Sequence, residues 1–240
     1  MRSRSARASN HGAPRIRGDK HVPSDTIRND IRTLLAAGAT SVRGLTRLAT
    51  DKSSRPHVRN LACWALGHLG AEGSMRALTN ALREDTDKTI PFTAAHALIE
   101  LRPPRLARAL TTALVKGKHA SNREAAAMAL GEIRARDGVG PLLNIVRDSV
   151  ETPSVRGRAA EALGSIRDPR AIGPLIECLR QSPPSVRFWS VFALGKIGDP
   201  RALPHLRALT SDDTVVPNWW SIGKEARDAI RRIRSVAGHE

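Results

Sequence analysis

Apolar and polar positions along the chain recur in blocks. An Ala-Leu pair (Ala-Ile in the last block) returns at Ala65, Ala97, Ala129, Ala162, Ala193 and Ala229, at spacings of 32, 32, 33, 31 and 36 residues. Seven positions before this Ala stand Val58, Ile90, Asn122, Val155, Val186 and Ile222; three before it stand Ala62, Ala94, Ala126, Ala159, Ser190 and Ala226. One after it come Leu66, Leu98, Leu130, Leu163, Leu194 and Ile230, and four after it Leu69, Leu101, Ile133, Ile166, Ile197 and Ile233. Offsets −7, −3, 0, +1 and +4 share one stripe of an α-helix. The pattern predicts a helix in every block. Small residues at −3 and 0 admit a neighbouring helix, and branched residues fill the space around that approach.

A second helix is predicted between successive pairs, as in PLLNIVRD from Pro141, PLIECLRQ from Pro174 and LPHLRALT from Leu203. Asp168-Pro169-Arg170 and Asp199-Pro200-Arg201 mark two of its starts, with Asp as N-cap and Pro at the first helical position, where an N–H is not required. Gly67, Gly131, Gly164 and Gly195 follow the Ala-Leu pair inside the last turn, a place that suits close backbone packing better than a C-cap. Six helix pairs result, preceded by one further helix near 25–37.

Composition changes this picture little but sharpens it. The 240 residues hold three Phe, four Trp and no Tyr, so the core is made of Ala, Leu, Ile and Val. That suits close-packed helices better than sheets. No run of 18 apolar residues is present, which excludes a spanning helix, and the first residues lack the apolar stretch of a secretory signal. Two cysteines, Cys63 and Cys178, are too few for a disulfide framework, and a cytoplasmic location is expected. The net charge is +16. Residues 1–23 carry six basic and one acidic residue among Ser, Gly and Pro, and are expected to form a disordered basic arm. The remaining excess is spread widely.

The segments SVRGRAAEALGSIRDPRAIGPLIECL (154–179) and SVRFWSVFALGKIGDPRALPHLRAL (185–209) resemble HEAT-like repeats of the phycobilisome-lyase type, and weaker copies cover roughly residues 41–236. The resemblance implies an all-α, right-handed solenoid of about six helix pairs over 24–240, closed by a capping last repeat. At about 10 Å per pair the rod would be roughly 60 Å long. It also implies that the Ala-Leu helices line the concave side. Such repeats serve many unrelated tasks, so the motif is specific for fold and not for activity.

On that concave side, offsets −5, −1 and +3 point away from the core. They read Asn60/Trp64/His68, Phe92/His96/Glu100, Glu124/Met128/Glu132, Gly157/Glu161/Ser165, Phe188/Phe192/Lys196 and Lys224/Asp228/Arg232. Core columns keep their residue type, whereas these columns change from block to block. Four of the seven aromatics, Trp64, Phe92, Phe188 and Phe192, fall here, with Trp189 beside them. Scarce aromatics on an exposed groove suggest anchors for a partner. The expected binding residues are therefore Trp64, His68, Phe92, His96, Glu100, Met128, Glu132, Phe188, Trp189, Phe192 and Lys196. The acidic middle (Glu100, Glu124, Glu132, Glu161) weighs against a groove for a nucleic-acid backbone. Arg59, Arg123, Arg156 and Arg187 recur at offset −6, on the flank facing the next block, where pairing across the interface is a better account than a phosphate ladder.

Catalytic patterns are sparse. Deoxyhypusine hydroxylase, built from similar repeats, binds iron through His-Glu dipeptides; here His-Glu occurs once, at His239-Glu240. Neither Cys-x-x-Cys nor His-x-x-x-His spacing is found, so no metal or cofactor is expected. Asn218-Trp219-Trp220-Ser221 resembles the paired tryptophans of alkylpurine DNA glycosylases, but lacks a closely following Asp and fits a hydrophobic lid on the last repeat better. No residue maps to a bilin ligand of the phycobilin lyases. The expected function is a non-enzymatic scaffold that binds a protein or peptide partner, possibly acidic, in the concave groove. Nucleic acid is the second choice, and a lyase-like or glycosylase-like activity the third.

Overall fold

The computed structural model describes residues 24–70 and 72–237. The expected arm, residues 1–23, and His239-Glu240 lie outside them. The chain opens with α1 (Ser24–Ala36), the additional helix, and continues as six pairs. These are α2 (Val42–Thr50) with α3 (Pro56–His68), α4 (Met75–Glu84) with α5 (Ile90–Leu101), and α6 (Leu106–Lys116) with α7 (Ala120–Glu132). There follow α8 (Val139–Arg147) with α9 (Pro153–Ile166), α10 (Ile172–Gln181) with α11 (Pro184–Ile197), and α12 (Leu203–Arg207) with α13 (Ile222–Ala237). Pro56, Pro153 and Pro184 open α3, α9 and α11, where the ring breaks no helical hydrogen bond. The two Asp-Pro-Arg segments cap as expected, with Asp168 and Asp199 accepting the N–H of Arg170 and Arg201 at 2.9 Å. What each caps is a single 3-10 turn, and the α-helices begin after it at Ile172 and Leu203.

The core columns fall where the periodicity puts them. Every residue of the −3, 0 and +1 columns is buried. The +4 column departs from the pattern: Leu69 is exposed, and Leu101, Ile133 and Ile197 are half-buried. It stands at or just beyond the helix ends, where the chain turns out of the stripe.

Successive inner helices (α3, α5, α7, α9, α11 and α13) pack on one another, while the outer helices meet more sparsely. The reason lies in the glycines. A Cβ placed on Gly67 would come within 2.7 Å of the Ala97 Cα, and on Gly131 within 2.8 Å of the Ala162 Cα. On Gly164 it would lie 2.6 Å from the Ala193 Cα, and on Gly195 2.7 Å from the Ala229 Cβ. Each of these glycines therefore lets the next anchor Ala rest directly on its backbone. The inner helices are thus packed on one another more closely than the outer ones.

The recurrent arginines join the repeats. Arg59 donates to both carboxylate oxygens of Asp85 at 2.9 Å and to the Ser54 carbonyl at 2.5 Å. Arg123 holds Glu151 at 2.5 and 2.9 Å and the Gly117 carbonyl at 2.9 Å. Arg156 donates to the Val146 carbonyl and the Ser182 hydroxyl, and Arg187 to Asp212 at 2.9 Å. In each case the far partner sits in the loop that leads into the next inner helix. The interface role expected at offset −6 is the observed one. The second repeat has Pro91 there, and its junction is served by buried Asn122, whose side chain donates to the Asp85 carbonyl at 3.1 Å.

Two stability predictions follow from these contacts. Gly164→Ala must push α9 from α11 and is expected to destabilise by about 1–3 kcal/mol despite the better helix propensity of Ala. Gly173→Ala, on an open face of α10, should instead be neutral or stabilise by up to about 1 kcal/mol. Urea denaturation of both variants decides. Asp85→Ala strands the Arg59 guanidinium, whose side chain is 7 % exposed, and should cost about 3 kcal/mol by the same measurement.

Candidate partner-binding face

Of the side chains at offsets −1 and +3 of the inner helices, those of the N-terminal half are exposed apart from half-buried Met128. Trp64 is 41 % exposed and lies tilted against the imidazole of His68, with ring centroids 4.3 Å apart. His68 Nδ1 stands 3.2 Å from Oε2 of Glu100 in the next repeat, and His96 Nδ1 stands 3.8 Å from Oε2 of Glu132 in the repeat after. All five of these residues except Trp64 are polar, and all are exposed. Phe92 and Met128 are half-buried and pack against the core.

The C-terminal half departs from expectation. Phe188 is 1 % and Phe192 7 % exposed, so neither is presented to a groove. The segment between α12 and α13 covers Phe188, while Phe192 lies under Trp189, Lys196 and Arg232. Trp219 lies with its ring centroid 5.7 Å from that of Phe188 and 4.9 Å from that of Trp189, and Trp220 lies 6.1 Å from Phe188. Trp189, half-buried, meets Phe188 and Phe192 edge-on at 5.5 and 5.4 Å. Its indole reaches back to Gly157, where a Cβ would fall 2.8 Å from Cδ1. The five rings form one closed cluster at the end of the rod, with offset-edge geometry typical of aromatic packing. Only its rim is polar: Lys196 Nζ and Arg232 Cζ each lie 5.4 Å from the Phe192 centroid, and Lys224 Nζ lies 4.4 Å from that of Trp220.

A family model of HEAT repeats matches five overlapping stretches, residues 26–99, 42–131, 75–152, 107–191 and 141–219. The chain belongs to the HEAT-repeat family. Among curated proteins none matches it. An engineered protein of known structure is 18 % identical with a TM-score of 0.55, over 82 % of this chain and 99 % of that one. YIBA of Escherichia coli is 18 % identical with a TM-score of 0.51, over 90 % and 89 % of the two chains. The complex of CpcE and CpcF of phycocyanin lyase from Nostoc is 19 % identical with a TM-score of 0.42, over 88 % and 90 %. At such identities the likeness is one of fold.

The end of this HEAT solenoid contains a buried charge that the sequence pattern does not reveal. Glu225 of α13 is fully buried; it accepts the Trp220 indole N–H at 2.8 Å and pairs with Arg232. Burial pushes its carboxyl above the usual glutamate range, and the Arg232 charge opposes that shift only in part. The sole signal in the sequence is an acid at offset −4, where the other repeats carry Leu61, Thr93, Ala125, Arg158 and Trp189. Cys63 is fully buried and its thiol is pushed up to about 12, which suits a core residue and not a nucleophile. Among the described residues no three His, Cys, Asp or Glu side chains gather into a metal-binding group, and no helix is long and apolar enough to cross a membrane.

The Glu225 network has a pH signature. A carboxyl whose folded pKa is raised contributes stability that is present below its unfolded value, 4.5, and lost as pH rises through the folded value. Stability measured across the range just above pH 4.5 should therefore fall with a slope that Glu225→Gln abolishes, since Gln still accepts from Trp220 and does not titrate. An unchanged slope in that variant would assign the effect elsewhere.

Proposed function

We propose that this HEAT-repeat chain is a non-enzymatic, cytoplasmic scaffold that holds a protein or peptide partner along its concave face. The observation that carries the reading is the contrast between columns. Positions −3, 0 and +1 are buried and nearly invariant from repeat to repeat, whereas positions −1 and +3 change in residue type along the rod, with Glu100 and Glu132 the one repetition, and all but Phe192 are exposed or half-buried. A surface needed only for folding has no reason to vary in step with the repeat; a surface that recognises a particular sequence does. Burial of Phe188 and Phe192 moves the apolar anchor to Trp64 at the N-terminal end. It leaves His68, His96, Glu100, Glu132 and Lys196 to set orientation and charge. The exposed carboxylates of Glu100 and Glu132 disfavour a phosphate backbone lying along the same groove.

Peptides selected by display on the immobilised protein provide the probe. A Trp64→Ala/Glu132→Lys variant is expected to bind them about tenfold more weakly, while an Arg76→Glu/Arg180→Glu variant on the outer helices binds them as the parent does. Loss in the outer variant alone would move the site to the convex side.

A further inference from the structure

The last inner helix, α13, breaks the columns that the other five keep. Two positions before the anchor Ala stand Cys63, Ala95, Ala127, Ala160 and Val191, all fully buried, and α13 has Arg227 there. Two positions after it stand Gly67, Ile99, Gly131, Gly164 and Gly195, and α13 has Arg231. These columns lie one turn apart on the flank where Gly67 meets Ala97 and Gly164 meets Ala193, the flank that receives the next inner helix. The junction arginine at offset −6 is lost as well, with Gly223 in its place. Among the described residues no helix packs beyond α13, and Arg227 and Arg231 stand exposed on the end of the stack.

Lys224 and Arg234 extend this pair into a stripe. Positions 224, 227, 231 and 234 share one helix face over about 15 Å, and all four side chains are exposed. In the other repeats the column of Arg234 holds Gly70, Arg102, Arg134, Arg167 and Gly198, left-handed residues just past the helix end. α13 instead runs on to Ala237, which keeps Arg234 in line. The contacts of the four cations position them without exhausting them. Lys224 rests on Trp220, Arg227 donates to the Thr210 carbonyl and Arg231 pairs with Asp228. Arg234 has no partner among the described residues. A guanidinium has five N–H donors, so most remain free. The nearby carboxylates of Asp228, Glu225 and Asp212 are taken by Arg231, Arg232 and Arg187.

We propose that this outer face of α13 binds the phosphate backbone of a nucleic-acid duplex through Lys224, Arg227, Arg231 and Arg234, without reading its sequence. The surface is separate from that of Trp64, Glu100 and Glu132 and does not depend on the peptide reading. A terminal helix needs a polar outer face, but either sign of charge, or a mixture, meets that need. Four cations in line exceed it. A duplex presents one charge per about 1.7 Å of axis, so about nine lie along the stripe and every cation finds one in any register. Three of the four are arginines, whose planar fork matches phosphate oxygens. Carboxylates of a protein partner would have to match the spacing, and no described apolar side chain of α13 is exposed to anchor such a partner.

Fluorescence anisotropy of the full chain with a labelled DNA duplex of about 20 base pairs, between about 50 and 200 mM salt, tests this. Arg227→Gln/Arg231→Gln/Arg234→Gln is expected to weaken binding at least about tenfold and to lower the log–log salt slope by roughly 2.7, about 0.9 per phosphate contact. Lys at the same three positions should restore the slope, which a folding defect would not allow. Arg76→Gln/Arg108→Gln/Arg180→Gln removes three exposed arginines from the outer helices and should shift the slope by less than about one. An unchanged slope in the α13 variant, or an equal fall in the outer-helix control, would overturn the assignment. So would tighter binding of a labelled oligoglutamate than of the duplex, which would give the surface to an acidic protein.

Discussion

Everything in this solenoid depends on how closely one inner helix can lie on the next. Gly67, Gly131, Gly164 and Gly195 remove the one atom that would hold the following Ala away, and backbone then touches Cα and Cβ directly. Outer helices meet more sparsely. The close approach of the inner helices brings the +3 side chains of adjacent repeats within reach, as with His68 and Glu100. The polar concave face is thus a by-product of a backbone contact. At one joint the device is missing: Ile99 stands where the glycine belongs, and α5 meets α7 more loosely than the other inner neighbours meet. The arginine link is missing from the same repeat, where Pro91 replaces it. Asn122 and a backbone bond from Lys118 N–H to the Arg83 carbonyl at 3.0 Å supply the continuity instead. The loop around Asp85 thus links three successive repeats, its carboxylate taking Arg59 and its carbonyl Asn122, beside the looser packing of α5 on α7.

Charge in the molecule is sorted by how much water it keeps. At the junctions Arg59 and Asp85 lie almost out of solvent and bind each other through two parallel hydrogen bonds, the arrangement that offsets desolvation best. On the outer turns Arg170 and Arg201 pair with Asp168 and Asp199 in water, where the bond adds little beyond fixing the cap. Each of these pairs is neutral, so the formal +16 is carried by basic residues outside them.

Helical columns were legible in the sequence because a solenoid reuses one contact: the spacing of Ala65, Ala97, Ala129, Ala162, Ala193 and Ala229 alone locates all six inner helices. The junction role of Arg59, Arg123, Arg156 and Arg187 was legible for the same reason. Exposure of Phe188 and Phe192 was not. Periodicity says which way a side chain leaves its helix; it says nothing of the distant segment that covers Phe188 or of the Trp189, Lys196 and Arg232 side chains that close over Phe192. The 36-residue last spacing and the Trp219-Trp220 pair are the marks of that segment in the sequence. The left-handed arginines sit in an equally visible column, Gly70, Arg102, Arg134, Arg167 and Gly198, whose mixture of Gly and Arg makes sense only once backbone angles are known.

Arg232 ties the two ends of this argument together. It neutralises Glu225 beneath the lid and, with the same side chain, lies over Phe192 at the edge of the concave face. Trp220 is held from one side by the Glu225 carboxylate and capped from the other by Lys224. The lid is therefore not a passive plug of tryptophans but is pinned through a carboxylate that the fold had to bury. Burying Glu225 without Arg232 would leave an uncompensated charge, and Arg232 without Glu225 would add an unpaired cation on Phe192, where Lys196 already lies. The solvent-facing charge of the groove and the closure of the core at its end are set by a single guanidinium shared between them.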